Sequence, residues 1–302
     1  MIILKIKNNA GPGNQMFMYA KAYALAKKYG HKILMVSEIS GYSVRQNILQ
    51  KFLLDKTYIK GMIRLDWTQN QYIFRLFRKL IFDCVLKLPF LYQITQKDHD
   101  SRVYMDIETL KKGKIYVLDG YWECHAYFDE YRKDLIQQFQ PKYALSAEVQ
   151  EFCKRVESEN SLAVHIRKGD FQAFDRLISD EYYRKALKTV QEKYPDVKVY
   201  ILTEADEIAE EWKKQYGAIR IEFDTDTKFL DEWFVMSKCR HHVIANSTYS
   251  WWSSYLSNSP NKMVVVPSVE EYLEAEKDNT EQMYRNYYYI LHKEENFGEE
   301  IR

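Results

Sequence analysis

The sequence predicts an α/β fold with mostly parallel sheets, and three observations carry that expectation. The first 36 residues read as strand, tight loop, helix, strand, the opening of a βαβ unit. From Leu162 onward, five short apolar strands alternate with helices, the pattern of an open sheet covered on both faces. A length of 302 residues fits roughly two domains at about 150 residues each.

Ile2 to Ile6 is a β-rich run, and Asn8 to Gly13 is a cluster of turn residues. Asn14 to Tyr29 repeats Met, Phe, Tyr, Ala and Leu at helical spacing and stops at Gly30, a residue suited to the left-handed position after a helix. Ile33 to Val36 returns as a buried strand. Residues 41–112 are rich in aromatics and predict two or three helices with irregular connections. Ile115 to Leu118 reads as a strand, and Cys124 to Gln138 as a helix closed by Pro141.

In the second half, Leu162 to Ile166, Val197 to Leu202, Ile219 to Phe223, Val243 to Ala245 and Met263 to Val266 are the strands. Asp180 to Lys193, Asp206 to Tyr216, Lys228 to Lys238 and Tyr249 to Leu256 are the helices. The boundary between lobes is expected inside the charged stretch from Pro141 to Asn160. That divides the chain into 1–150, 151–275 and a Tyr-rich tail, 276–302, which reads as a helix packed across one lobe. Ligands of such sheets bind beyond the carboxyl ends of the strands.

Forty-four basic against 43 acidic residues leave a net charge of +1, which argues against a nucleic-acid surface. The 46% apolar and 29% charged composition belongs to a folded chain. Some of the 25 tyrosines are expected to line a polar cleft, where ring and hydroxyl both serve. Cys84, Cys124, Cys153 and Cys239 form no CxxC pair, so neither a zinc knuckle nor a redox dithiol is expected. They read as reduced thiols, and with no signal peptide ahead of them the expected location is cytoplasmic. No apolar run reaches the length of a transmembrane helix. Leu80 to Gln93, preceded by Arg75, Arg78 and Lys79, is an amphipathic helix packed on its own domain or a peripheral contact at the inner membrane face.

Three segments have the residues for chemistry. In Ala10 to Met16, glycines let backbone approach a ligand, and the helix start offers free N–H groups to an anion. It is neither the dinucleotide fingerprint, whose third Gly would fall at Met16, nor a P-loop; a merely stiff turn is the alternative. In Ala163 to Phe171, a buried strand runs into His165, Arg167, Lys168, Gly169 and Asp170. His165 and Arg167 have equal parity and share a side of the strand. A guanidinium there suits a phosphate, and Asp170 could fix it or cap the next segment; an ion pair closing a loop is the alternative. Asp231 to Leu256 reads as helix, short strand, polar turn at Asn246-Ser247-Thr248 and aromatic helix. Ser and Thr at that helix start cap it and can also bond phosphate oxygens. Asp224-Thr225-Asp226 lacks an evident third ligand, and adjacent His241 and His242 diverge, so no metal is expected.

Together these segments resemble the α-1,2-fucosyltransferase family of bacterial type. The family's Gly-x-Gly-Asn-Gln-Met-Phe-x-Tyr-Ala start matches Gly11 to Ala20, and its His-x-Arg-Arg-Gly-Asp motif matches His165 to Asp170 with Lys168 for the second Arg. The Met-Ser-x-Cys and Asn-Ser-Thr-Phe-Ser-Trp-Trp block matches Met236 to Trp252 with Tyr249 for the Phe. A Gly-Tyr-Trp-Gln segment is echoed at Gly120 to Glu123. The resemblance implies a GT-B-like architecture of two facing Rossmann-type lobes. Lobe 1–150 would be the acceptor side with a helical insertion, and 151–275 would bind the nucleotide sugar. It also implies GDP-β-L-fucose as donor, inverting transfer to a galactose 2-hydroxyl on a glycan acceptor, and no required metal or cofactor.

Without a metal, a cation must stabilise the leaving diphosphate, and Arg167 is the best-placed candidate. By resemblance, Asn14 completes the clamp, while His165, Lys168, Asp170, Asp231, Asn246, Ser247, Thr248, Gly13 and Gln15 bind the donor. Glu123 is the candidate base, unless a strongly dissociative transition state needs little base help. A non-catalytic GDP-sugar-binding homologue, or a transferase using another GDP-sugar, is the competing expectation.

Overall fold

The structure, a computed structural model, describes residues 1–7, 10–39, 47–66, 89–97, 101–107, 109–168, 177–268, 271, 288–291 and 299–300. The chain divides into two compact units, Met1–Lys142 and Tyr143–Arg302.

In the first unit, strand β1 (Ile2–Ile6) alternates as the pattern requires, with Ile2, Leu4 and Ile6 buried. Helix α1 (Pro12–Tyr29) follows, with Pro in its first turn and Gly30 closing it at φ 68°. Residues Met16 to Ala26 of α1 are all buried, Lys21 among them, so this helix is enclosed around its whole circumference, as expected of a core helix. The sheet continues through β2 (Ile33–Ile39), β3 (Ile59–Asp66), β4 (Leu91–Thr95) and β5 (Ile115–Asp119). Its order is β3-β2-β1-β5-β4, and every pairing is parallel.

The described part of 41–112 contains the strands β3 and β4, which the sequence reading did not expect; 67–88, where expected helices could fall, lies outside the described residues. Both β3 and β4 are sheet edges, and Met62, Ile63 and Tyr92 stand exposed on them. A strand exposed on an edge need not bury one face, so the alternating signal is missing. The expected helix from Cys124 is also shorter. Two single-turn 3₁₀ segments, His125–Tyr127 and Asp129–Tyr131, precede α2 (Arg132–Gln138). Of the amphipathic segment Leu80 to Gln93, the described part runs into β4, and the rest lies outside the described residues.

The second unit opens with α3 (Ala147–Ser158), capped by Ser146, whose hydroxyl accepts from the Val149 amide at 3.2 Å. The division at Lys142 and Tyr143 falls inside the stretch from Pro141 to Asn160, and the charged residues after it form an amphipathic helix burying Val149, Cys153 and Val156. Then come β6 (Ser161–His165), α4 (Asp180–Lys193), β7 (Lys198–Leu202), α5 (Asp206–Tyr216) and β8 (Ile219–Arg220). They are followed by α6 (Lys228–Lys238), β9 (His241–Val243), α7 (Thr248–Leu256) and β10 (Val264–Pro267). The tail supplies β11 (Tyr288–Leu291) and β12 (Glu299–Glu300). These are strands where a helix was expected; Tyr288–Leu291 pairs in parallel with β10, and its aromatic and β-branched residues suit that position.

The order β12-β11-β10-β9-β6-β7-β8 is parallel except between β11 and β12. From β8 to β11 this is the doubly wound order, with its topological switch between β6 and β9. One core layer sets Leu162, Val164, Val199, Ile201, Val243 and Val265 of the strands against Tyr182, Ala186, Leu187 and Val190 of α4. Truncating a residue such as Leu187 to Ala there would cost about 2–5 kcal/mol. Both units are thus Rossmann-like, as the expected α/β class requires.

Candidate active site

The switch point of the second unit lies where β6 and β9 end, and crevices of this kind hold ligands. Strand β6 is buried along its whole length and delivers His165, Ile166, Arg167 and Lys168 to that edge. His165 is 4% exposed, and its Nδ1 has no hydrogen-bond partner among the described residues. Burial, with the Arg167 charge second, pushes its pKa down to about 3, so the imidazole is neutral. A neutral ring with an unused nitrogen can bond a ligand without adding charge.

Arg167 and Lys168 are the cations of this edge. Arg167 Nη1 lies 3.6 Å from Glu204 Oε1, and the Lys168 ammonium is 2.7 Å from Asp180 Oδ1 at the start of α4. Both pairs are partly exposed and can exchange their carboxylate for another anion at small cost. Gly169 and Asp170 lie outside the described residues.

From the other side of the switch, β9 runs through Ile244 to Asn246 into α7. Ser247 is the N-cap of α7, and its hydroxyl accepts from the Tyr249 amide at 3.3 Å. Thr248 is the first residue of the helix and half-buried. Tyr249 donates its hydroxyl to the Phe229 carbonyl. Burial first, then the nearby Glu232 charge, raise its pKa well above the ordinary phenol value, while Arg167 opposes them. Tyr249 is therefore the residue around which His165, Arg167 and Glu232 gather.

Asp231 is 2% exposed and accepts from three hydroxyls: Thr225 at 2.6 Å, Thr227 at 2.9 Å and Tyr143 at 2.7 Å. Its carboxylate ties the loop before α6 to the helix start. The neighbouring Glu232, which the sequence reading passed over, is the carboxyl near Tyr249. Burial raises its pKa to about 7, against the pull of Lys228 at 3.8 Å. Adjacent acids on one helix differ by about 100° in direction, and the sequence alone does not say which one faces the strand ends. Glu204 was also missed; its only sequence signal is its place just after the apolar run of β7.

In the first unit, the switch falls between β1 and β5. Gly11 caps α1 without a side-chain bond, followed by Pro12, buried Gly13 and half-buried Asn14. Gln15 is 1% exposed; it donates to the Ala10 carbonyl at 3.0 Å and accepts from the Ile48 amide at 2.9 Å. It therefore fixes the shape of the turn. Beside it, the end of β5 carries Asp119, paired with Lys5 at 2.6 Å, and Tyr121, with the Lys7 ammonium 4.3 Å from its ring centre.

Glu123 follows a conformationally unusual residue: Trp122 is fully buried at φ 58°, a region costly for a bulky side chain. Two neighbours hold it there. The Trp122 amide donates to Gln96 Oε1 at 2.8 Å, and the Glu123 amide to the Ser101 carbonyl at 2.7 Å. The Glu123 carboxylate is 6% exposed, accepts from Ser101 Oγ at 3.3 Å and lies 3.6 Å from Arg102 Nε. Below the turn, buried Lys21 sets its ammonium 3.7 Å from the Tyr127 ring centre and 5.7 Å from that of Trp122.

Among the described residues, no group of three or more His, Cys, Asp or Glu could hold a metal ion, and no helix is long and apolar enough to cross a membrane. Cys124, Cys153 and Cys239 are buried free thiols.

Two Rossmann-like units, one presenting cations beside a helix start at its switch point, define an α/β protein built to bind an anionic ligand such as a nucleotide. A model of glycosyl transferase family 11 matches residues 3–290, and the chain belongs to that family. It is 25% identical over 280 residues to an Escherichia coli alpha-1,2-colitosyltransferase, covering 89% of this chain and 92% of the relative. It is 26% identical over 286 residues to the O-antigen biosynthesis glycosyltransferase WbnK of Escherichia coli, covering 86% and 92%. Among solved structures, the fucosyltransferase NodZ from Bradyrhizobium aligns with a TM-score of 0.49 at 12% identity, over 83% of this chain and 91% of that one.

Proposed function

We propose that the protein transfers L-fucose from GDP-β-L-fucose to the 2-hydroxyl of a galactoside, with inversion and without a required metal, in building a glycan or surface polysaccharide. The observation that carries the reading is Arg167 at the switch point of the second unit, with neutral His165 beneath it and the capped start of α7 beside it. In this reading Arg167 and Lys168 take the diphosphate charge, which is greatest as the sugar departs. Ser247, Thr248 and Asn246 add hydrogen bonds at the helix start, where the dipole favours an anion. His165 seats the nucleotide through its unused nitrogen.

The first unit serves the sugar and the acceptor. Asn14, in the first turn of α1, offers both an amide donor and an acceptor to a hydroxyl-rich ligand, and Gly13 lets the ligand approach the backbone. Gln15 and Asp231 act by shaping the turns that carry these groups. The Glu123 carboxylate is engaged by Ser101 and Arg102. This favours a largely dissociative transfer, driven by stabilisation of the leaving group, over one that depends on a strong base. Asp170 remains a donor-side candidate on the strength of its motif alone. The buried free thiols support action in the cytoplasm.

A second reading keeps the chemistry and changes the sugar. The relative that acts as an alpha-1,2-colitosyltransferase supports a donor other than GDP-fucose. Incubating the protein with GDP-fucose, GDP-colitose and a panel of galactosides separates the two by which donor is consumed. GDP binding with neither transfer nor hydrolysis of any donor would leave a binding protein instead, and chelator-sensitive activity restored by manganese would overturn the metal-free mechanism.

A further inference from the structure

The ladder between β6 and β7 ends on the Ile166 amide, which donates to the Leu202 carbonyl at 3.0 Å. Two residues on, the next donor in that ladder is the Lys168 amide. It meets no main-chain oxygen of β7; it donates to Glu204 Oε1 at 3.0 Å. The same oxygen lies 3.6 Å from Arg167 Nη1. Glu204 is itself held in place: the Thr203 carbonyl before it accepts from Arg220 Nη2 at 3.2 Å, and Thr203 Oγ1 accepts from the Ala205 amide at 3.3 Å.

We propose that Glu204 is a positioning residue for nucleoside-diphosphate binding: it extends the sheet by a side chain, fixes Lys168, and pre-aligns the Arg167 guanidinium while offsetting part of its charge. This rests on the reading that Arg167 meets the diphosphate. A partly exposed carboxylate beside a guanidinium competes modestly with an incoming anion. Its charge and its hydrogen bond thus act on ligand binding in opposite directions. The charge weakens diphosphate affinity, whereas the bond to Lys168 preserves the shape of the turn that the diphosphate needs.

Two substitutions separate these effects. Glu204→Gln keeps an acceptor for the Lys168 amide and removes the charge; Glu204→Ala removes both. GDP is the probe, titrated calorimetrically at about 50 mM and about 500 mM salt, where screening differs strongly, with thermal melts to establish folding. Glu204→Gln is expected to bind GDP about two- to fivefold tighter than the unaltered protein at low salt, the gain shrinking at high salt. Glu204→Ala is expected to bind at least about threefold more weakly than Glu204→Gln, since the Lys168 amide loses its partner. Weaker binding in both variants, the mark of a merely structural residue, overturns the proposal, as does equal binding by all three proteins. Arg167→Ala, titrated alongside, tells the two readings apart. Unchanged GDP affinity there overturns the diphosphate role of Arg167 and that of Glu204 with it. A large loss there, with no gain in Glu204→Gln, overturns Glu204 alone.

Discussion

The imidazole of His165 and the phenol of Tyr249 lie ring to ring, 5.5 Å between centroids, where β6 ends and α7 begins. Burial lowers the pKa of the first and raises that of the second, so both are neutral at physiological pH. Two neutral, buried rings within reach of the Arg167 charge make a low-dielectric floor. On such a floor an electrostatic contact to a departing diphosphate is stronger than in water.

Arg167→Ala is expected to lower turnover with GDP-fucose by on the order of 10²–10³, the usual loss when one key electrostatic contact is removed. Its melting temperature should stay near that of the unaltered protein, because its pair with Glu204 is partly exposed. Initial rates beside a thermal melt check both halves. A variant within a few-fold of the parent in rate has no such contact to lose.

Glu232 gives a pH signature. Its folded pKa of about 7 lies above the ordinary carboxyl value, so between roughly pH 4.5 and 7 the native state binds more protons than the unfolded chain. Stability is therefore lost from this group as pH rises through that window. Glu232→Gln is never ionised, so it should melt higher than the parent at pH 8 and lose that advantage at pH 5. Melting curves at the two pH values decide it, and a larger advantage at pH 5 would reverse the sign of the argument.

Gly120 sits where a Cβ would meet Gln96 Cβ at 2.7 Å and Trp122 Cε2 at 3.0 Å. Gln96 Cβ cannot swing away as a side-chain tip would. Gly120→Ala is thus expected to cost about 1–3 kcal/mol, as overpacking does, measurable by urea unfolding. An unchanged midpoint would show that the turn at Trp122 is looser than the structure indicates.

Glu123→Gln keeps a partner for Ser101 and removes the countercharge of Arg102. With both side chains largely buried, the expected loss is about 1–3 kcal/mol of stability, with kcat per folded molecule within a few-fold of the parent. A fall of about 10²-fold or more in kcat, with stability intact, would identify Glu123 as the general base.

Much of this was legible in the chain. The turn from Gly11 to Gln15, the helices Asp180–Lys193, Asp206–Tyr216 and Lys228–Lys238, and the cation pair after β6 all declare themselves locally. Local capping and periodicity fix them: Ser179 caps α4 by accepting from the Tyr182 amide, and Gly217 closes α5 at φ 62°. What was hidden depends on tertiary partners. Strands β3 and β4 lie at sheet edges and show little alternation. Strand β11 is a strand because β10 lies beside it. Glu204 acquires a role only when β7 is laid against β6, and Trp122 takes its unusual φ because Gln96 and Ser101 hold the backbone on either side of it. At Asp231 and Glu232, one residue of register separates a loop anchor from a carboxyl that titrates near neutrality.

The most direct test is a structure of the protein with GDP bound. The diphosphate oxygens are predicted to lie within hydrogen-bond distance of the Arg167 guanidinium and of the Ser247–Thr248 start of α7. A diphosphate seated elsewhere on the second unit, with Arg167 still turned to Glu204, would contradict the account.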